Sequence, residues 1–329
     1  MLAAMHRRAF GSSGIEVSEI GYGAWGIGRS MWEGAEDDES VRALHHAIDH
    51  GVNFIDTAAA YGDGHSERLV GRVVGERDER VYVATKVPPK NMTWPAELGD
   101  DVSDVFPGDY IRAHTERSLR NLGAETLDLQ QLHVWRDEWL DEGDWRETVE
   151  DLKAEGKIRL FGVSINGHQP ESALQIVGSG VVDSVQVIFN VWDQSPREEL
   201  FPACIEHGVG VIVRVALDEG GLTGAIRHDT EFPPGDFRNE YFGGERRREV
   251  AERVDAIRED LGIEHDEVAE AALRFVLSEP AVSTVIPGMR SVRNVERNVR
   301  VGDGRGLHEE HVEKLRGHAW ERNFYEPAS

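Results

Sequence analysis

The chain has 329 residues and 40% apolar content, which suits a barrel with insertions or two medium domains better than a single sandwich or bundle. Its 61 acidic against 36 basic residues give a net charge of −25, which argues against nucleic-acid binding. The single cysteine, Cys204, excludes a disulfide framework within the chain and a cysteine-cluster metal site.

Residues 1–10 carry charges but lack the apolar stretch of a signal peptide, and no window approaches the ~20 apolar residues of a membrane span. The expected location is the cytoplasm. Five of the bases are lysines, and such an acidic, lysine-poor composition resembles halophilic proteins. In them salt shortens the Debye length to roughly 3 Å at 1 M, which makes self-repulsion tolerable.

In chain order, short β-type runs alternate with helical ones. Residues 19–23 read as a strand, and 38–49 as a helix with Asp37 or Asp38 at its cap and Gly51 past its end. Strand 52–57, helix 66–74 and strand 81–85 follow, the last rich in β-branched and aromatic residues. After a long loop comes helix 109–122, closed by Gly123. The second half repeats the pattern, with strands at 127–132, 160–163, 184–189, 210–215 and 282–286. Helices fall at 145–155, 170–177, 198–207, 245–260 and 266–278.

Eight strands with helices between them predict parallel pairing through crossovers, closed into a (β/α)8 TIM barrel. No linker-like stretch interrupts mid-chain, so one domain over 1–329 is expected. Long segments at 88–107, 134–144 and 218–244 follow strands three, four and seven. In a barrel they share one rim, where substrate sites lie.

Three strand ends carry chemistry. Asp56 ends an apolar strand, Lys86 ends VYVATK, and His133 ends LDLQQLH. In a parallel barrel these ends lie side by side, and Tyr61 is in the loop just beyond Asp56. Reducing a carbonyl needs a hydride on carbon and a proton on oxygen. A free tyrosine, with a pKa of about 10, donates that proton sluggishly at neutral pH. A nearby ammonium lowers that pKa. Asp56 is expected to hold Lys86 in place, and His133 to orient the carbonyl oxygen. Each residue alone has an ordinary structural explanation; their conjunction on neighbouring strands singles them out.

The runs GYGAWGIG (21–28), GVNFIDTAAAYGDGHSE (51–67), TK (85–86), LQQLH (129–133), GKIRLFGVS (156–164), SVQVIFN (184–190), GGLTG (220–224) and VIPG (285–288) occur in this order. Together they resemble the aldo-keto reductase family over residues 7–298. The resemblance implies the same barrel, a nicotinamide cofactor extended across the rim, and Asp56, Tyr61, Lys86 and His133 as the catalytic set. It puts Ala24, Trp25 and Asp56 beside the cofactor, with Ser164 and Gln186 at the carboxamide. The family's usual Asn after that Ser is Ile165 here, with Asn166 as the substitute. Arg214 stands where an aromatic commonly stacks on the nicotinamide; its guanidinium either stacks in that place or pairs with an acid. Leu217 and Leu222 match the segment over the pyrophosphate.

The adenosine end falls on residues 287–298, including Gly288, Arg290, Asn294 and Asn298. Gly288 and Asn294 replace a Lys and an Arg often found in the family. Arg290 and Arg293 are the arginine forks available to a 2′-phosphate, which ranks NADP(H) ahead of NAD(H). Trp25, Tyr61, Trp94, His133 and Trp135 are the expected substrate contacts, in an aromatic wall with Trp32, Phe106, Trp139 and Trp192. Trp320, Phe324 and Tyr325 in the tail either cover the rim or pack against the barrel.

Three rival readings differ in kind. Residues 21–26 spell the dinucleotide fingerprint, but no helix opens at its last glycine. His45, His46 and His50 share a helix without the spacing of a metal protease, so no metal is expected. A regulatory protein that binds a cofactor on the same barrel without turnover is the non-enzyme alternative.

Overall fold

The computed structural model describes residues 4–29, 31, 32 and 34–326. A short antiparallel hairpin comes first, β1 (Arg7–Ala9) with β2 (Glu16–Ser18). Eight parallel strands follow: β3 (Tyr22–Gly23), β4 (Phe54–Asp56), β5 (Tyr82–Val87), β6 (Leu127–Leu132), β7 (Ile158–Ser164), β8 (Ser184–Ile188), β9 (Gly210–Arg214) and β10 (Val282–Val285). They pair in chain order from β3 to β10. Backbone bonds from Gly21 to Val285, Val285 to Glu19 and Gly23 to Pro287 join the last strand to the first and close the barrel. That closure is the one expected from the alternation of strands and helices.

Helices cover the outside, and their ends follow local chemistry. The helix Asp37–Asp49 begins with Asp37, Asp38 and Glu39, where negative charge meets the positive end of the helix dipole. The helix Gly108–Leu122 stops at Gly123, whose φ of 63° gives the left-handed cap. The stretch expected as one helix at 170–177 is instead a 3-10 turn, Pro170–Ala173, followed by Leu174–Gly178. Neither the hairpin nor the last helix, Glu309–Arg316, was expected; three-residue strands and an eight-residue helix give too short a periodic signal.

Two apolar clusters result. The larger lies between strands and helices. The smaller fills the lower barrel, where Phe10 and Val17 of the hairpin pack with Phe54, Ala84, Leu129, Ile212 and Ile286. Strand side chains alternate with period two. Counting upward from Phe54, Ala84, Leu129 and Ile212, the next inward positions are Asp56, Lys86, Gln131 and Arg214. An apolar plug below and a polar layer above are thus written in one alternation.

Candidate active site

At the top of the lumen, Lys86 is fully buried and Asp56 nearly so. Lys86 Nζ donates to Asp56 Oδ2 at 2.6 Å, to the Thr57 carbonyl at 2.9 Å and to Tyr61 Oη at 3.4 Å. These contacts use all three ammonium donors. The other carboxylate oxygen, Asp56 Oδ1, accepts from Gln186 Nε2 at 2.7 Å. A buried charge pair survives only with its remaining hydrogen-bonding capacity satisfied, and here it is. The loop carrying Tyr61 is seated by two glycines. A Cβ on Gly62 (φ 63°) would lie 1.9 Å from the Gly28 carbonyl oxygen, and one on Gly28 would lie 2.8 Å from the Tyr61 backbone.

Burial, then the Asp56 carboxylate, push the Tyr61 phenol well above its ordinary value. Arg214 opposes that shift. Lys86, expected to lower the phenol's pKa, is within 3.4 Å of Tyr61 Oη, but burial dominates the shift. Tyr61 is therefore a protonated hydroxyl at neutral pH. Burial also lowers the Lys86 pKa, opposed by Asp56. His133 is driven well below the usual imidazole range by burial, then by the Lys86 and Arg214 cations. Its ring is neutral and stands edge-on to Tyr61, with centroids 5.8 Å apart.

These groups open into a cavity of about 980 Å³. Asp56, Tyr61, His133, Ser164 and Gln186 line one part of it, with Asn166, Arg214 and Leu217; Gly288, Arg290, Asn294 and Asn298 line another. Several expected residues are engaged otherwise. Ala24 is fully buried, its amide on the Asp56 carbonyl. Leu222 is fully buried in the apolar core. Asn166 bonds both backbone groups of Ala96, each at 3.3 Å, so it ties the 88–107 loop down. Arg214 lines the cavity, and its Nη2 donates to the Ile165 carbonyl at 2.9 Å.

The aromatic wall is redrawn too. Trp25, Trp32 and Trp94 line the cavity. Trp135 does not reach it: the ring is buried 5.1 Å from that of Trp145, and its Nε1 donates to Asp137 Oδ1 at 2.9 Å. Phe106, Trp139 and Trp192 are likewise buried in the core. An aromatic that follows a strand end can fold back into the layer between strands and helices, and loop position alone does not reveal this. Tyr325 of the tail does line the cavity, whereas Phe324 packs in the core.

The arginine end gains residues that sequence reasoning missed. Arg293 is exposed, while Arg297 and Arg238 line the cavity. Arg297 is three residues after Asn294 in the helix Val292–Val299, and helical spacing would have put both on one face. Arg238 stacks on Trp32, 4.9 Å from the ring, and Asp236 holds its guanidinium through two bonds of 2.8 Å. Burial and the neighbouring Arg238 cation lower the Arg290 pKa, with Asp236 opposing them. Arg238, Arg290 and Arg297 all line the cavity, and guanidinium forks match phosphate oxygens, so these residues fit a phosphorylated ligand. His45 bonds Glu76, and His50 bonds the His46 carbonyl. Among the described residues no group of three or more metal-ligating side chains gathers. No helix among them is long and apolar enough to cross a membrane.

A model of the aldo/keto reductase family matches residues 19–319. The uncharacterized oxidoreductase YqkF of Bacillus subtilis (strain 168) is 29% identical over 322 residues, covering 95% of this chain and 96% of that one. Among solved structures, the glycerol dehydrogenase AKR11B4 from Gluconobacter oxydans is 31% identical with a TM-score of 0.74, covering 95% of this chain and 94% of its own. An aldo/keto reductase from Klebsiella pneumoniae, in complex with NADP and acetate, is 25% identical with a TM-score of 0.68 and 98% coverage of each chain.

Proposed function

Since the chain belongs to the aldo/keto reductase family, we propose that it interconverts carbonyl compounds and alcohols with NADP(H), using Tyr61 as the proton donor. The observation that carries this reading is the chain of contacts from Asp56 through Lys86 to Tyr61, with the neutral His133 ring beside it. When bound, the nicotinamide supplies or accepts the hydride. Tyr61 gives its phenolic proton to the carbonyl oxygen as that oxygen becomes a hydroxyl. The Lys86 ammonium, fixed by Asp56, stabilises the phenolate left behind. His133 hydrogen-bonds the same oxygen and orients it. In the oxidising direction Tyr61 takes the proton back.

Ser164 and the amide oxygen of Gln186, whose Nε2 serves Asp56, would hold the carboxamide. Leu217 would border the pyrophosphate. Arg290, with Arg238 and Arg297, would meet the 2′-phosphate, which favours NADPH over NADH. Trp25 and Trp94 are the substrate walls nearest Tyr61 and His133, with centroid distances of 6.3 and 5.8 Å. NADPH oxidation followed across a panel of aldehydes, ketones and sugars tests the reading. NADPH that binds tightly but is consumed with none of them would favour a cofactor-binding regulatory protein. From the acidic, lysine-poor composition we place the protein in a salt-adapted cytoplasm; a Tm that does not rise between 0.1 and 2 M KCl (about 10 and 2–3 Å of Debye length) would refute that.

A further inference from the structure

We propose that Glu67 is a positioning residue for the Lys86–Tyr61 pair: a second carboxylate, set behind the barrel wall, that keeps the ammonium charged for carbonyl reduction. The inference rests on the carbonyl-reduction reading above and deepens it.

Glu67 closes the run GVNFIDTAAAYGDGHSE. It stands in the first turn of the helix His65–Gly75, outside the barrel, and is fully buried. Its Oε1 accepts from Thr85 Oγ1 at 2.6 Å, and its Oε2 from Asn121 Nδ2 at 2.7 Å. A bond accepted on each oxygen is the pattern of an ionised carboxylate. Both donors are neutral, and among the described residues no lysine, arginine or histidine forms an ion pair with it. Burying a carboxylate without a paired cation is costly. A glutamine would tie the same two groups, since a hydroxyl accepts as well as donates and a side-chain amide can turn. The tie alone therefore does not account for the charge.

The charge has a use one residue away. Thr85 precedes Lys86 on β5, and successive side chains of a strand point to opposite faces. Thr85 reaches outward to Glu67, while Lys86 reaches inward to Asp56 and Tyr61. Ser66, beside Glu67 in the helix, accepts from Thr57 Oγ1 at 2.8 Å, and the Thr57 carbonyl is one of the three acceptors of Lys86 Nζ. The first turn of this helix thus grips both the strand that carries Lys86 and one of its acceptors.

Facing Lys86 are Asp56 from β4, Tyr61 from the loop after it, His133 beyond β6 and Arg214 from β9, with Glu67 behind the wall. Burial lowers the Lys86 pKa and Asp56 opposes it; Arg214 then lowers it further and Glu67 opposes that. Inside the lumen, Asp56 answers two cations, Lys86 and Arg214, and Glu67 supplies the second negative charge. On the outer side, the helix Gly108–Leu122 brings His114, whose pKa is lowered by burial and by Arg117, with Glu67 and Asp63 opposing. His114 is therefore neutral at alkaline pH and plays no part there. Arg68 bonds the Asp63 carbonyl and Asn121 Oδ1, Arg117 pairs with Asp63, and His65 pairs with Asp37. Without the Glu67 charge, both the Lys86 ammonium and the Tyr61 phenol lose their protons at lower pH.

The test follows kcat against pH for NADPH-dependent reduction of benzaldehyde and, separately, the titration of Lys86 by NMR of isotope-labelled lysine. Only five lysines are present, and replacing Lys90, Lys153, Lys157 and Lys314 by Arg leaves the Lys86 signal alone. Glu67→Gln should move the alkaline limb and the Lys86 titration down by about 0.5–1 in pH, the reach of one buried charge across a strand. Glu67→Asp keeps the charge and should leave both near wild type. Thr85→Val removes a bond but no charge, so it should lower Tm without moving the limb. An unchanged limb and titration in Glu67→Gln, or an equal shift in Glu67→Asp or Thr85→Val, would overturn the proposal. If Glu67→Gln does not fold, the double variant Glu67→Met, Thr85→Val removes the charge together with its bond and carries the same expectation. If wild type does not reduce benzaldehyde, the lysine titration alone decides the role of Glu67, and the failure belongs to the proposed reaction.

Discussion

The two parts of the cavity are built on different principles. Around Tyr61, the polar groups project from strand ends locked by neighbouring strands, and Asp56 and Lys86 are tied to each other, to the Thr57 carbonyl and to Gln186 inside the barrel. Around Arg290, the groups sit on the helix Val292–Val299 and the 218–244 loop, half-buried and crowded with like charge. The Asp56–Lys86 pair at the centre of the first arrangement has its bonds made without a ligand. The second gathers three arginines along the cavity, Arg238, Arg290 and Arg297, whose forks match phosphate oxygens. Positioned chemistry calls for rigid supports, whereas recognition of a phosphate draws on clustered positive charge and tolerates a half-buried setting.

The sharpest way to break this contrast is Lys86→Met. It leaves Asp56 buried without its cation, so we expect nearly complete loss of reduction and about 3–5 kcal/mol of lost stability, read by steady-state kinetics and denaturant melts. A stable, active variant would mean the pair is not the framework of the site. Tyr61→Phe keeps the ring and removes the proton. Its kcat should fall at least ~100-fold while NADPH still quenches tryptophan fluorescence normally; turnover within a few-fold of wild type would remove Tyr61 as donor.

At the other part of the cavity, Arg290→Ala should weaken NADPH about tenfold more than NADH, the worth of one charge-assisted contact, with kcat barely changed. Equal weakening of both cofactors would detach Arg290 from the 2′-phosphate.

The smallest expected effect concerns pH. Glu219 keeps its proton up to about 7 in the folded chain, whereas an unfolded glutamate loses it at about 4.3. Between these values the folded state binds more protons than the unfolded one, so the stability from this group is present below about 4.3 and is lost as pH rises through about 7. Relative to Glu219→Gln, wild type should therefore lose ~2 °C or more of Tm between pH 5 and 8. A constant difference would show that Glu219 titrates normally.

Strand order made the upper rim legible before any coordinates. Asp56, Lys86 and His133 each end a run read as a strand, and Asp56 and Lys86 do close on each other there. The loops gave no such rule. Trp94 and Trp135 look alike in sequence, yet one lines the cavity and the other is buried beside Trp145. Arg293 was expected at the phosphate and is exposed, while Arg297 faces the cavity, because the turn of that helix decides which arginine looks inward.

The sequence by itself determined the barrel, the order of its strands and the residue types at their upper ends, since these follow from local periodicity and from the cost of burying charge. Only the tertiary structure decided which partner each polar group takes. It set Asn166 on the 88–107 loop, Arg214 on the Ile165 carbonyl and Tyr325 on Glu219. Those pairings bring together residues 49 to 106 positions apart, and no local pattern encodes them.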